Sequence, residues 1–167
     1  MFKRRGWIKA ILLTALLQTS TLCLLPSSIR ASENDFYRGL QRKPSATNED
    51  VVRAVARLRG YRGDEEWQRE SQYLVAQGVK FRRNMLKTPH APATKGDAAN
   101  LFLNAMDNAA GDRGLFGRLF PRSRRFAARD GMAQKLLPDD SYMNEFISGA
   151  ELLAMLGRAS EQMEKVK

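Results

Sequence analysis

The chain of 167 residues has a single cysteine, Cys23, and a single histidine, His90. A disulfide framework, a Cys-ligated metal centre and a His-ligated one therefore lack the residues they need, and a triad would have to be built on His90. His90 also lies in the segment Lys87-Thr88-Pro89-His90-Ala91-Pro92, which two prolines keep out of any helix. The acids Asp64, Glu65 and Glu66 fall at a helix start, where they complement the dipole, and Asp139-Asp140 reads as turn chemistry. No catalytic residue, metal or cofactor is assigned on this reading, and the chain is not expected to be an enzyme. An uncharged run of the roughly 20 apolar residues that span a bilayer is also missing. The candidate, Ala10 to Leu25, is too short and is interrupted by Gln18, Thr19, Ser20 and Thr21.

That run has the layout of a secretory signal instead. Lys3, Arg4, Arg5 and Lys9 precede it, Pro26 ends it, and the small residues of Ser27-Ser28-Ile29-Arg30-Ala31-Ser32 follow. Cleavage is expected after Ala31 or Ser28, which divides the chain into a signal (1–31), an N-terminal linker (32–45) and a helical domain (46–167). An uncleaved anchor is the competing reading. Lipidation at Cys23 is the other, against the bulky Leu22 just before it. Either way the expected location is the periplasm or cell envelope of a bacterium, with the membrane touched only through the signal or a lipidated Cys23.

The charge of +10 overstates the exported part. The first 31 residues hold five of the 28 basic residues and none of the 18 acids, so the remainder carries +5. Nucleic-acid binding is a standard reading of a basic chain, but export argues against it. An anionic envelope polymer is the more available partner for the basic stretches Lys80 to Lys95 and Arg113 to Arg129, which otherwise read as solvated faces.

Apolar spacing is helical throughout the remainder, without strand-like alternation, so the expected fold is all-α with about five helices. Val51, Val52, Val55 and Leu58 form a stripe that begins after Thr47 and stops at Gly60. A second helix is expected from about Asp64 to Gln77, with Trp67, Tyr73 and Leu74, ending at Gly78. A third begins at Thr94 with Leu101, Phe102 and Met106. Arg124 to Leu136 forms a fourth, ended by Leu137-Pro138, and Ser148 opens the last, with Leu152, Leu153, Leu156 and Met163.

Three of these starts match one another. Ala46-Thr47-Asn48-Glu49-Asp50, Ala93-Thr94-Lys95-Gly96-Asp97 and Ile147-Ser148-Gly149-Ala150-Glu151 each hold a hydroxyl cap with an acid three residues on. This is the capping-box spacing, repeated in two to three units along the chain. Asp140 to Glu151 also has the length of an EF-hand loop, but Tyr142 and Glu145 stand where a ligand and the turn glycine belong.

Each repeat start resembles the Thr-Arg-Ala-Glu turn of S-layer homology repeats. Trp67 with Tyr73-Leu74-Val75-Ala76-Gln77-Gly78-Val79 resembles the first helix of such a repeat, and Arg129-Asp130-Gly131-Met132 through Leu136-Leu137-Pro138 a degenerate second version. The resemblance spans about Ala46 to Ala159. It implies repeats packed about a pseudo-threefold axis that bind cell-wall polysaccharide through the motif's arginine. The arginine position here is Asn48, Lys95 and Gly149, so only Lys95 keeps a cation, a point charge without the guanidinium fork.

Two functions follow. One is a non-catalytic module that binds an anionic envelope polysaccharide through Lys95, Arg82, Arg83, Arg122, Arg124 and Arg125, with Trp67 lining the cleft. The other is a structural or protein-interaction subunit of the envelope, which docks on a partner through the apolar loop Leu115-Phe116-Gly117-Arg118-Leu119-Phe120.

Overall fold

A computed structural model describes residues 27–165 apart from 83 and 111–122. The signal run, Cys23, Arg83, Arg122 and the apolar loop at 115–120 lie outside the described residues. The chain divides into two units, Met1–Asp35 and Phe36–Lys167. Of the first, the described part is the beginning of helix α1, Ser27–Gln41. The linker expected over 32–45 is thus helical for most of its length. Its stripe is sparse, since Phe36 packs on the core and Leu40 is 1% exposed while polar residues surround both.

The second unit continues with α2 (Asn48–Leu58), α3 (Trp67–Ala76), a single 3-10 turn (Met85–Lys87), α4 (Lys95–Ala110), α5 (Arg124–Ala133) and α6 (Gly149–Lys165). The fold is all-α, with no strand among the described residues and only the isolated bridge pairs Thr47 with Pro92 and Thr94 with Phe146. No described helix is long and apolar enough to cross a membrane.

Helix ends follow from local chemistry. After α2 the chain passes through Gly60 at φ 87°, with Tyr61 N–H donating to Ala56 O (2.9 Å) and Gly60 N–H to Arg57 O (2.9 Å). That pair of bonds is a Schellman stop, which needs a left-handed residue. Gly78 (φ 78°) ends α3 in the same way, with Val79 N–H on Leu74 O and Gly78 N–H on Val75 O. Helix α5 repeats the motif with Lys135 at φ 60° in the glycine's place, so it stops at Ala133 rather than running to Leu136. The cost of a side chain in that conformation stays in the structure.

The core lies between α2, α4 and α6, which contact one another pairwise. Val51, Val52, Val55, Leu101, Phe102, Leu152 and Met155 fill it, each 1% exposed or less. Helix α5 closes on α4 where Gly131 faces Ala99: a Cβ at Gly131 would lie 3.2 Å from that of Ala99. Trp67 and Leu156 are only half-buried and pack on the edge of this core.

Candidate functional site

The three caps meet at one point. Ala46 N–H donates to Ile147 O (2.8 Å), Ile147 N–H to Ala93 O (3.0 Å) and Ala93 N–H to Ala46 O (2.8 Å), a closed ring of three backbone hydrogen bonds. All three residues are fully buried. Buried amides need partners, and this ring satisfies them without a sheet.

From the ring the chain enters each helix through a hydroxyl and an acid. Asp50 N–H donates to Thr47 Oγ1 (3.3 Å) and Thr47 N–H to Asp50 Oδ2 (2.8 Å). Asp97 N–H donates to Thr94 Oγ1 (3.2 Å), whose hydroxyl donates back to Asp97 Oδ2 (2.9 Å). Glu151 N–H donates to Ser148 Oγ (3.2 Å) and Ser148 N–H to Glu151 Oε2 (2.8 Å). The reciprocal bonds satisfy helix amides that have no intrahelical acceptor.

The residue after each cap, where the resemblance implies an arginine, is used up inside the fold. Asn48 is buried, with its backbone N–H on Ala91 O (3.0 Å) and its side-chain amide on Thr88 O (2.8 Å). Gly149 N–H donates to Lys43 O (3.0 Å), and a Cβ there would overlap the Leu40 carbonyl oxygen. Lys95 is 5% exposed. Its backbone N–H donates to Glu145 O (2.8 Å), and its ammonium lies 2.9 Å from Glu145 Oε2 and 2.8 Å from Glu151 Oε1.

A cation grips each cap acid. Lys43 Nζ lies 2.7 Å from Asp50, Lys95 grips Glu151, and Asp97 receives both Arg124 (Nη2, 2.7 Å) and Arg82 (Nη1, 3.0 Å). Burial alone would raise Asp97's pKa, but hydrogen bonds from Arg124, Arg82 and Thr94 outweigh it and hold the carboxyl below the ordinary aspartate range. Glu151 is lowered in the same way, against its burial, by Lys95 and Ser148. For Lys95, burial lowers the pKa, yet Glu151 and Glu145 together leave it above the ordinary lysine value.

Of the described residues expected to bind a polymer, Arg82 and Arg124 are brought together, whereas Lys95 and Trp67 are not. Arg82 and Arg124 converge on Asp97, Lys95 serves Glu151, and Trp67 sits at the start of α3 against the core edge. Arg125 is exposed, with no ion-pair partner among the described residues. Residue spacing did not reveal Lys43 on Asp50, or Arg53, which ties α2 to α3 through Glu70 (2.9 Å) and also meets Glu49 (2.9 Å). Glu70 is 1% exposed and its Oε2 has no hydrogen-bond partner, so burial raises its pKa despite Arg53. The exposed aromatics Tyr142 and Phe146 in the loop before α6 were also not singled out as a surface. Among the described residues no three His, Cys, Asp or Glu side chains are grouped to hold a metal ion.

No protein-family model matches the chain, and neither a curated protein nor a solved structure matches it significantly.

Proposed function

We propose that the chain is an exported, non-catalytic module of the bacterial cell envelope that acts as a structural or protein-interaction subunit, with the three-cap ring as its rigid centre. The observation that carries this reading is the fate of the three post-cap positions. Asn48 is bonded inward, Gly149 has no side chain and Lys95 is neutralised by two carboxylates, so none offers a cation to a carboxylated sugar. The reading keeps the S-layer homology resemblance for the scaffold and gives up its ligand, since function follows the site and not the fold.

Anionic polysaccharide binding is the second reading, favoured by the guanidinium groups of Arg82 and Arg124, each about a third exposed, with Arg125 beside them. Co-sedimentation with purified envelope polysaccharide separates the two. Weak retention that salt abolishes is expected from a basic surface alone. Retention that survives salt and is lost in Arg82→Lys/Arg124→Lys, which keep a cation on Asp97, with the fold retained by circular dichroism, would overturn the protein-interaction reading in favour of the polymer.

A further inference from the structure

We propose that two copies of this chain associate symmetrically, the acidic-aromatic loop 139–146 of each receiving the arginine pair Arg125 and Arg129 of the other. The proposal rests on the protein-interaction reading and names the partner.

The loop presents its aromatics on a fixed backbone. Tyr142 is 78% exposed and Phe146 59%. Yet Glu145 N–H closes a turn on Tyr142 O (3.1 Å), and the carbonyls of Glu145 and Met143 accept the Lys95 and Gly96 amides at 2.8 and 3.1 Å. Ile147, the next residue, belongs to the buried ring. Rings held outward by a satisfied backbone keep their apolar area in water until a partner covers it.

The loop also carries acid on a basic protein. Lys135 neutralises Asp139 and Lys95 neutralises Glu145, whereas Asp140 is exposed with no ion-pair partner among the described residues. On α5 the complement is present. Arg125 and Arg129 are one turn apart, both exposed, and neither has an ion-pair partner among the described residues. Guanidinium groups stack on aromatic faces and pair with carboxylates, so this pair complements Tyr142, Phe146 and Asp140 in charge and in chemistry.

Both halves of that contact adjoin on one molecule. The Cβ position of Gly96 lies 2.8 Å from Met143 O and 3.1 Å from Arg124 Cβ, so the start of α5 abuts the loop. Two adjoining, mutually complementary patches on one chain suit a two-fold interface, in which each is used once per copy.

Sedimentation velocity of the purified protein over a concentration series tests this. A dimer is expected, weakened by about 0.5 M NaCl. Arg125→Glu/Arg129→Glu and Tyr142→Ser/Phe146→Ser should each weaken it by roughly tenfold or more, at unchanged circular dichroism and melting temperature. Combining Arg125→Glu with Asp140→Arg should restore association. A monomer at every concentration, or a dimer indifferent to all these changes, overturns the proposal. Capture of a different protein at Tyr142 while the chain stays monomeric also overturns it, but leaves the protein-interaction reading standing.

Discussion

Lys95 and Glu151 lock the entrances of α4 and α6 together: the ammonium lies 2.8 Å from Glu151 Oε1, while Oε2 of the same carboxylate accepts the Ser148 amide and hydroxyl, each at 2.8 Å. One carboxyl group thus serves both as helix cap and as the seat of a cation from the start of α4.

Lys95→Ala should accordingly act on stability. A loss of about 1–2 kcal/mol is expected in urea denaturation, below that for a fully buried pair because Glu151 is partly exposed and keeps its bonds to Ser148. The tie is present between the ordinary values of the two groups, about pH 4.5 to 10.5. The lowered Glu151 loses it as pH falls through its folded pKa, and the raised Lys95 loses it as pH rises through its own. Loss of polymer binding by Lys95→Ala at unchanged stability would contradict this role.

Asp97 should govern the acid limb of stability. Its folded pKa lies below the ordinary 3.8, so its contribution is complete above about pH 4 and is lost as pH falls further. Asp97→Asn should cost about 2 kcal/mol at neutral pH and flatten the decline below pH 4, as measured by melting temperature against pH. Glu70 acts in the opposite sense, since its raised pKa means that acidification through the folded value favours the native state.

Two glycines of α6 should respond in opposite directions. Gly149→Ala forces a Cβ into the Leu40 carbonyl and should destabilise by about 1–3 kcal/mol. Gly157 has nothing within 4 Å of a Cβ, so Gly157→Ala should stabilise by roughly 0.5–1 kcal/mol. Thermal melts of the two variants check both signs.

Lys135 offers a gain of the same size. It occupies the left-handed position that Gly60 and Gly78 hold in the other two stops. Lys135→Gly should raise stability by about 1 kcal/mol, less the small worth of its exposed pair with Asp139.

Export is tested directly by fusing residues 1–32 to a reporter that works only outside the cytoplasm. Activity and a mature N-terminus near Ser32 are expected. A diacylated Cys23 at the N-terminus would show a lipoprotein signal instead.

Much of this architecture was legible because helix starts are written locally. A hydroxyl and an acid three residues apart located Thr47, Thr94 and Ser148, and glycines located the ends of α2 and α3. What escaped was either sparse or distant. Helix α1 follows the apolar run directly, and its core contacts, Phe36 and Leu40, lie in a largely polar stretch. The stop at Lys135 carries no glycine. The partners of Lys95 and Arg82 were beyond any spacing rule, because Glu145 and Asp97 reach them only once the chain has folded. Lys95 at a helix start looked like an anion receptor, since local sequence shows a charge but not the carboxylates that arrive to neutralise it.

The ring of Ala46, Ala93 and Ile147 sets a time order on folding. Its closing bond joins the beginning of the domain to its last helix, so the ring stays open until residue 147 has been made and has met residue 46. Contacts between such remote positions carry a large loop-closure cost and slow the search. An incomplete chain, on the ribosome or halfway through a secretion channel, has an unfilled acceptor at Ala93 and an unpaired amide at Ala46. Delay of this kind suits the export proposed above, and truncation before Ile147 removes the residue that closes the ring.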